Sequence, residues 1–208
     1  MASLGGRQPP PSPSAALEFS MTIRNIGSLH ELTATVLRAL TLYSLAEFQS
    51  GNSTTIWLTA EGSAFSITDD GRGHSLDKNV SGTSYLKFIY THFDYPFESD
   101  QGAPVQLQGI GMSLANSLCS ELTLTVRKSE EELQHWYRNG KLFQSNRAAV
   151  FSKTTGITIE GIISSTSGYD TSAVNSLEEW LQGVLASNPS LKLFFNGTQL
   201  LLSKQTAA

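Results

Sequence analysis

The chain has 208 residues, 39% hydrophobic and 15% charged, with a net charge of -4 and a single cysteine. That size and apolar content suit one domain, or one domain with a tail, and the low charge leaves much of the surface to Ser, Thr, Asn and Gln. The acidic balance excludes a basic domain built to coat duplex nucleic acid, the lone Cys119 excludes a disulfide framework and a Cys-rich zinc site, and no apolar run reaches the length of a membrane span.

Residues 1–20 are rich in Pro, Ser, Gly and Ala and are expected to form a disordered tail. The single Arg7 is few for a transit peptide. The folded domain is expected over residues 21–203. Its first helix is predicted over Ser28–Gln49, with Ser28 and Glu31 as a capping box, Leu29, Leu32, Val36, Ala39, Leu40 and Tyr43 at helical spacing, and Gly51-Asn52 as the stop. Strands are predicted over Thr54–Thr59 and Ala64–Thr68, joined at Glu61-Gly62 as a hairpin. A short helix is expected over Thr83–His92, a loop over Phe93–Leu107, and an apolar helix over Met112–Leu118 opened by Gly109-Ile110-Gly111. Cys119 continues that helical run and reads as a buried, inert thiol. Leu122–Arg127, Leu133–Tyr137, Lys141–Gln144, Ala148–Phe151 and Gly156–Ile163 read as strands. A last helix over Ser176–Ser187 precedes a strand over Leu191–Phe195, the hairpin signal Asn196-Gly197, and a strand over Leu200–Leu202. Helices plus a sheet of several strands make an α+β sandwich.

The stretch with most chemistry is Ser66–His74, where a strand runs into Asp69-Asp70-Gly71-Arg72-Gly73. A buried carboxylate at a strand end can accept a hydrogen bond from the exocyclic amine of adenine. The glycines let backbone approach a flat ring and take positive φ. A tight turn after a strand accounts for the same residues. Further on, Gln108-Gly109-Ile110-Gly111 precedes a helix, and amides at a glycine-rich helix start bind phosphate. Thr155-Gly156 follows downstream.

That order of motifs resembles the nucleotide-binding domain of the GHKL superfamily (DNA gyrase B, MutL, the heat-shock ninety chaperone and histidine kinases). The likeness is strongest to the ATPase domain of gyrase B and its type II topoisomerase relatives. Asp69–Gly73 looks like their adenine motif and Leu107–Leu118 like their Leu-His-Gly-Val-Gly helix. The resemblance covers nearly all of Ile26–Leu202; the Arg-Gly-Glu-Ala-Leu lid motif of MutL is absent. It implies a two-layer α/β sandwich of the Bergerat type with a mixed, mostly antiparallel sheet. It also implies a site made of Asp69, Gly71, Gly73, Gln108, Gly109, Gly111 and Thr155 for ATP or ADP.

The first helix departs from the family. Leu29-His30 and Leu32 match the start of its first motif, so the general-base Glu and the magnesium-binding Asn fall on Thr35 and Ala39, with Arg38 between. Thr35 cannot take a proton from water at neutral pH, and Ala39 offers a metal no oxygen. Losing a general base removes ~10²–10⁴ in rate. Glu31 reads as the capping residue, and Glu47 as too far along the helix to substitute. Weak ATP or ADP binding with little Mg²⁺ is therefore expected, with no catalytic or metal-ligating residue. His30, His74, His92 and His135 show no ligand spacing. Trp57, Trp136 and Trp180 read as core or half-buried, Glu130-Glu131-Glu132 as a solvated turn, and Arg127-Lys128 as too small a basic cluster for a DNA site.

The resemblance, with its departures at Thr35 and Ala39, implies a pseudo-ATPase serving as a homodimeric or heterodimeric subunit of a DNA-topology, recombination or repair complex. Its lid segment Phe93–Val105 and its tail would face the partner, and contact with DNA would come through that partner. The alternatives are an active ATPase of gyrase B or MutL type with unconventional residues, and a regulatory domain that senses adenine nucleotide. No room is left before Ala208 for the family's transducer domain, so strand passage by this chain alone is not expected. An intracellular setting is expected, the nucleus ahead of an organelle.

Overall fold

In a computed structural model, the structure describes residues 29–80, 82–91, 112–150, 152–164 and 171–202. The first helix, α1 (Leu29–Gln49), is apolar well beyond one stripe. Ala34, Val36, Leu37, Ala39, Leu40, Thr41, Ser44 and Leu45 are all buried. A helix apolar on more than one side must be covered on more than one side. Here the sheet lies on one side and α4 (Thr171–Ser187) on another, with Arg38 Nη2 donating to the Ser176 carbonyl at 3.1 Å. Gly51 ends α1 as the sequence predicts. At φ +75° it lets its own N–H reach the Phe48 carbonyl (2.8 Å) and the Asn52 N–H reach Glu47 (2.9 Å), the paired bonds of a Schellman cap.

The strands are β1 (Thr55–Glu61), β2 (Ala64–Asp69), β3 (Asn79–Val80), β4 (Thr83–Ser84), β5 (Cys119–Arg127), β6 (Glu131–Arg138), β7 (Lys141–Ala149), β8 (Gly156–Ile163), β9 (Lys192–Phe195) and β10 (Thr198–Gln199). Eight of them form one sheet in the order β10-β9-β1-β2-β8-β5-β6-β7. Every neighbouring pair is antiparallel except β1–β9. The protein is thus α+β, with a large mixed sheet. Along β1, β2, β5 and β8 buried Ile, Leu, Val and Phe alternate with Thr, Ser and Glu, the period-2 signature of a sheet packed on one face. Ile56, Leu58, Ile67, Leu124, Val126, Ile157 and Ile159 form the floor of the core beneath α1, α4, α2 (Tyr85–Thr91) and α3 (Met112–Ser117).

Several local expectations change. The two strands predicted over Lys141–Gln144 and Ala148–Phe151 are one strand, β7, because Gln144–Ala149 pairs with Glu131–Trp136 despite its polar side chains. A bulge at Trp136/Tyr137 absorbs the irregularity. The turn before it is Asn139-Gly140 (φ 46° and 75°), a hairpin of the same type as Asn196-Gly197 (φ 48° and 80°). Leu200–Leu202 is not a strand; β10 is Thr198–Gln199. The last helix starts at Thr171, ahead of Ser176. Cys119 opens β5 rather than extending a helix, and burial pushes its thiol up to about 12. Glu131 and Glu132 belong to β6 and pair with Arg147 (2.7 Å) and Arg127 (3.3 Å), so they are not a free turn. Trp57 is 40% exposed on the helix-free face, stacked on Phe194 at 5.9 Å.

Candidate functional site

Strand alternation puts Asp69, the last residue of β2, on the helix-covered face, where it is 2% exposed. Ser44 Oγ of α1 donates to its Oδ2 at 2.7 Å. The backbone N–H of Gly71 (3.0 Å) and of Ile157 (3.4 Å) donate to Oδ1. Burial pushes the Asp69 carboxyl up from its ordinary value, and those three donors pull against it. Oδ2, with one donor shown, keeps a lone pair for an N–H brought by a ligand.

The adjacent Asp70 does different work. It accepts from Ser53 Oγ (2.7 Å) and the N–H groups of Thr54 (2.7 Å) and Thr55 (2.9 Å), and from Thr54 Oγ1 (2.5 Å). Burial opposes its charge, yet the bonds from Thr54, Ser53 and Thr55 outweigh it and hold the carboxyl at about 2. Asp70 therefore satisfies the start of β1. The ordinary-turn reading fits Asp70; it leaves the buried Asp69 unexplained.

Space around Asp69 is tight at three glycines. A Cβ on Gly71 would lie 3.0 Å from Asp69 Oδ1 and 3.3 Å from Glu47 Oε2. Gly73 sits at φ +68° with its Cβ position 2.9 Å from Val126 Cγ1. Gly156 is tightest: φ is +128°, and a Cβ would fall 1.9 Å from the Asp69 carbonyl oxygen. Gly156 thus lets the start of β8 press on the Asp69 turn and bring the Ile157 amide into reach, with Thr155 next to it, half-buried.

Asp69, Gly71, Gly73 and Thr155 therefore share one end of the β2–β8 pair. Gln108, Gly109 and Gly111, and the lid segment Phe93–Val105, lie outside the described residues. So do Ser28 of the capping box, the tail, and the side chain of Thr35. Ala39 is buried against Leu118. Ser44 lies five residues beyond Ala39 and nine beyond Thr35, about 7.5 and 13.5 Å along the helix axis.

Glu47 has a place in the site that sequence reading missed. Its carboxylate reaches the turn itself, accepting from Arg72 Nη2 at 2.9 Å and Nε at 3.2 Å. Ser44 and Glu47 are three residues apart and so share a helix face. That spacing was visible in the sequence; what it faced was not. Lys128 also joins the turn, its Nζ donating to the carbonyls of Arg72 (2.6 Å) and Gly73 (3.2 Å).

Sequence reading also missed an aromatic pair. His74 is 3% exposed, and the Tyr43 hydroxyl lies 2.7 Å from its Nδ1. Burial, helped by Lys128, pushes the imidazole down to about 3, so it is neutral at ordinary pH. Tyr90 meets His74 edge-on at 6.1 Å and stacks on Tyr137 at 5.5 Å. No group of three His, Cys, Asp or Glu with metal-site geometry occurs among the described residues. A concavity of about 770 Å³ lies on the sheet's other face, lined by Thr59, Glu61, Ser66, Thr123 and Glu160 among others; Asp69 takes no part in it.

A turn of this construction can be compared with known proteins. The chain is similar to DNA gyrase B. Against that protein from Campylobacter jejuni it is 31% identical over 142 residues, 65% of this chain. The match spans 18% of the gyrase protein's own length. No family model matches the chain.

Proposed function

We propose that this domain is an adenine-nucleotide-binding module that turns ATP over slowly or not at all, and that it acts as one component of a DNA-topology, recombination or repair assembly. The single observation carrying the nucleotide reading is Asp69: a carboxylate 2% exposed, held by Ser44 and two backbone amides at a glycine-built strand end. A carboxylate taken out of water at that cost is commonly a functional one. Similarity to DNA gyrase B supports the same reading. The Bergerat-type arrangement of the sandwich and the phosphate role of Gln108, Gly109 and Gly111 are parts of this proposal.

The pseudo-ATPase half rests on α1, which carries no acid between Glu31 and Glu47. Of those two, Glu47 is engaged through both oxygens with Arg72, leaving it poorly placed to take a proton from water. Mg²⁺ would find no oxygen at Ala39, so ATP and ADP should bind alike. The acidic net charge favours a protein partner over direct sequence-specific contact with DNA.

Isothermal titration with ATP, ADP and GTP, each with and without Mg²⁺, tests the module. ADP and ATP are expected to bind comparably and GTP to bind more weakly, with Asp69→Asn abolishing that preference. Equal binding of GTP and ATP would overturn the reading. Magnesium-dependent phosphate release removed by Asp69→Asn would replace the pseudo-ATPase with an active enzyme.

A further inference from the structure

We propose that His74 donates its Nε2–H to a ring nitrogen of the bound purine, making it, with Asp69, a determinant of which base the site accepts. This rests on the nucleotide reading above and adds a second recognition residue to it.

His74 follows the Asp69–Gly73 turn directly and is 3% exposed. Its Nδ1 is occupied by the Tyr43 hydroxyl at 2.7 Å. A phenol is the better donor of that pair, and donating to Nδ1 is what satisfies its own buried proton. The imidazole proton is then on Nε2. That atom is buried and has no hydrogen-bond partner among the described residues. Buried donors are almost always paired in native proteins, and an orphan calls for a group not yet in place. The hydroxyl of Tyr90, a fully buried residue whose ring meets that of His74 edge-on, is also unpartnered among the described residues.

The chemistry of the surroundings selects the missing acceptor. The ring is neutral, since burial holds it down to about 3, so it offers an anionic phosphate no charge. It is flanked by the rings of Tyr43 at 4.8 Å and Tyr90 at 6.1 Å, a setting suited to a flat heterocycle. Asp69 takes an amine N–H and His74 offers an N–H. The ligand must therefore present a donor and an acceptor on one flat ring, as an aminopurine does.

The test is isothermal titration of the full chain with ADP and its 1-deaza, 3-deaza and 7-deaza analogues, each lacking one ring nitrogen. Wild type, His74→Phe and His74→Gln are compared. One analogue is expected to bind wild type roughly five- to tenfold more weakly than ADP. That penalty should vanish in His74→Phe and persist in His74→Gln, whose amide keeps a donor. If all three analogues match ADP in wild type, or the penalty survives in His74→Phe, the role of His74 is overturned while the nucleotide reading stands. If wild type binds no ADP, both fall. Should His74→Phe fail to fold by circular dichroism, the wild-type analogue series with His74→Gln decides.

Discussion

Ser44 Oγ on α1 and Asp69 Oδ2 at the end of β2 lie 2.7 Å apart, joining residues 25 apart in sequence. Removing the hydroxyl by Ser44→Ala leaves a buried carboxylate one donor short. The expected cost is about 1–3 kcal/mol in urea unfolding. The pH dependence has a definite sign. An acid raised above its ordinary 3.8 holds its proton more tightly folded than unfolded, so its contribution to stability falls as pH rises from there through the folded pKa. Ser44 limits that rise. Ser44→Ala should therefore lose more stability at pH 7 than at pH 3, and an equal loss at both would count against the bond.

His74 has the opposite dependence. Its folded pKa, near 3, lies below the ordinary 6.5, so the unfolded chain binds the extra proton. Stability from the buried neutral ring is complete above pH 6.5 and is lost as pH falls toward 3. Lowering pH from 7.5 to 5 should remove about 2 kcal/mol through this residue. The difference between wild-type and His74→Gln unfolding curves across that range reads it, and a flat difference would refute it.

Three glycines should respond to alanine in three ways. Gly156→Ala forces a Cβ to 1.9 Å from a backbone oxygen at φ +128° and should cost more than about 3 kcal/mol or prevent folding. Gly62→Ala, at φ +61° with open space around it, should cost about 1–2 kcal/mol. Gly183→Ala, within α4 and with nothing within 4 Å, should stabilise by up to about 1 kcal/mol. Thermal melts rank the three, and Gly156→Ala melting near wild type would contradict the close approach of β8 to the Asp69 turn.

The Glu47–Arg72 pair should matter little to stability. The Arg72 side chain is 47% exposed, so water and salt screen the attraction. A double-mutant cycle with Glu47→Gln and Arg72→Gln is expected to give under about 1 kcal/mol of coupling, shrinking further in 1 M salt. A large, salt-independent coupling would mean that the pair is far better shielded than its exposure indicates.

Much of this protein is local, and that part was legible in the sequence. Helical spacing and Gly51 set α1, period-2 alternation set β1, β2 and β8, and Asn196-Gly197 set the last hairpin, because each depends on neighbours a few residues away. Asp69 at a strand end was legible for the same reason. β7 was read as two pieces, because an edge strand exposed along most of its length has no buried face to print a pattern. What each side chain meets across the fold is a different matter. Glu47 closes on Arg72, 25 residues further along the chain, while Asp69 and Asp70, adjacent and identical in kind, receive opposite pKa shifts, since burial outweighs the donors at Asp69 and the donors outweigh burial at Asp70. Tyr43 and His74, 31 residues apart, form a buried pair that no spacing rule announces. Periodicity records which face of an element is apolar; the groups waiting on the other side come from distant segments, and only tertiary packing brings them there.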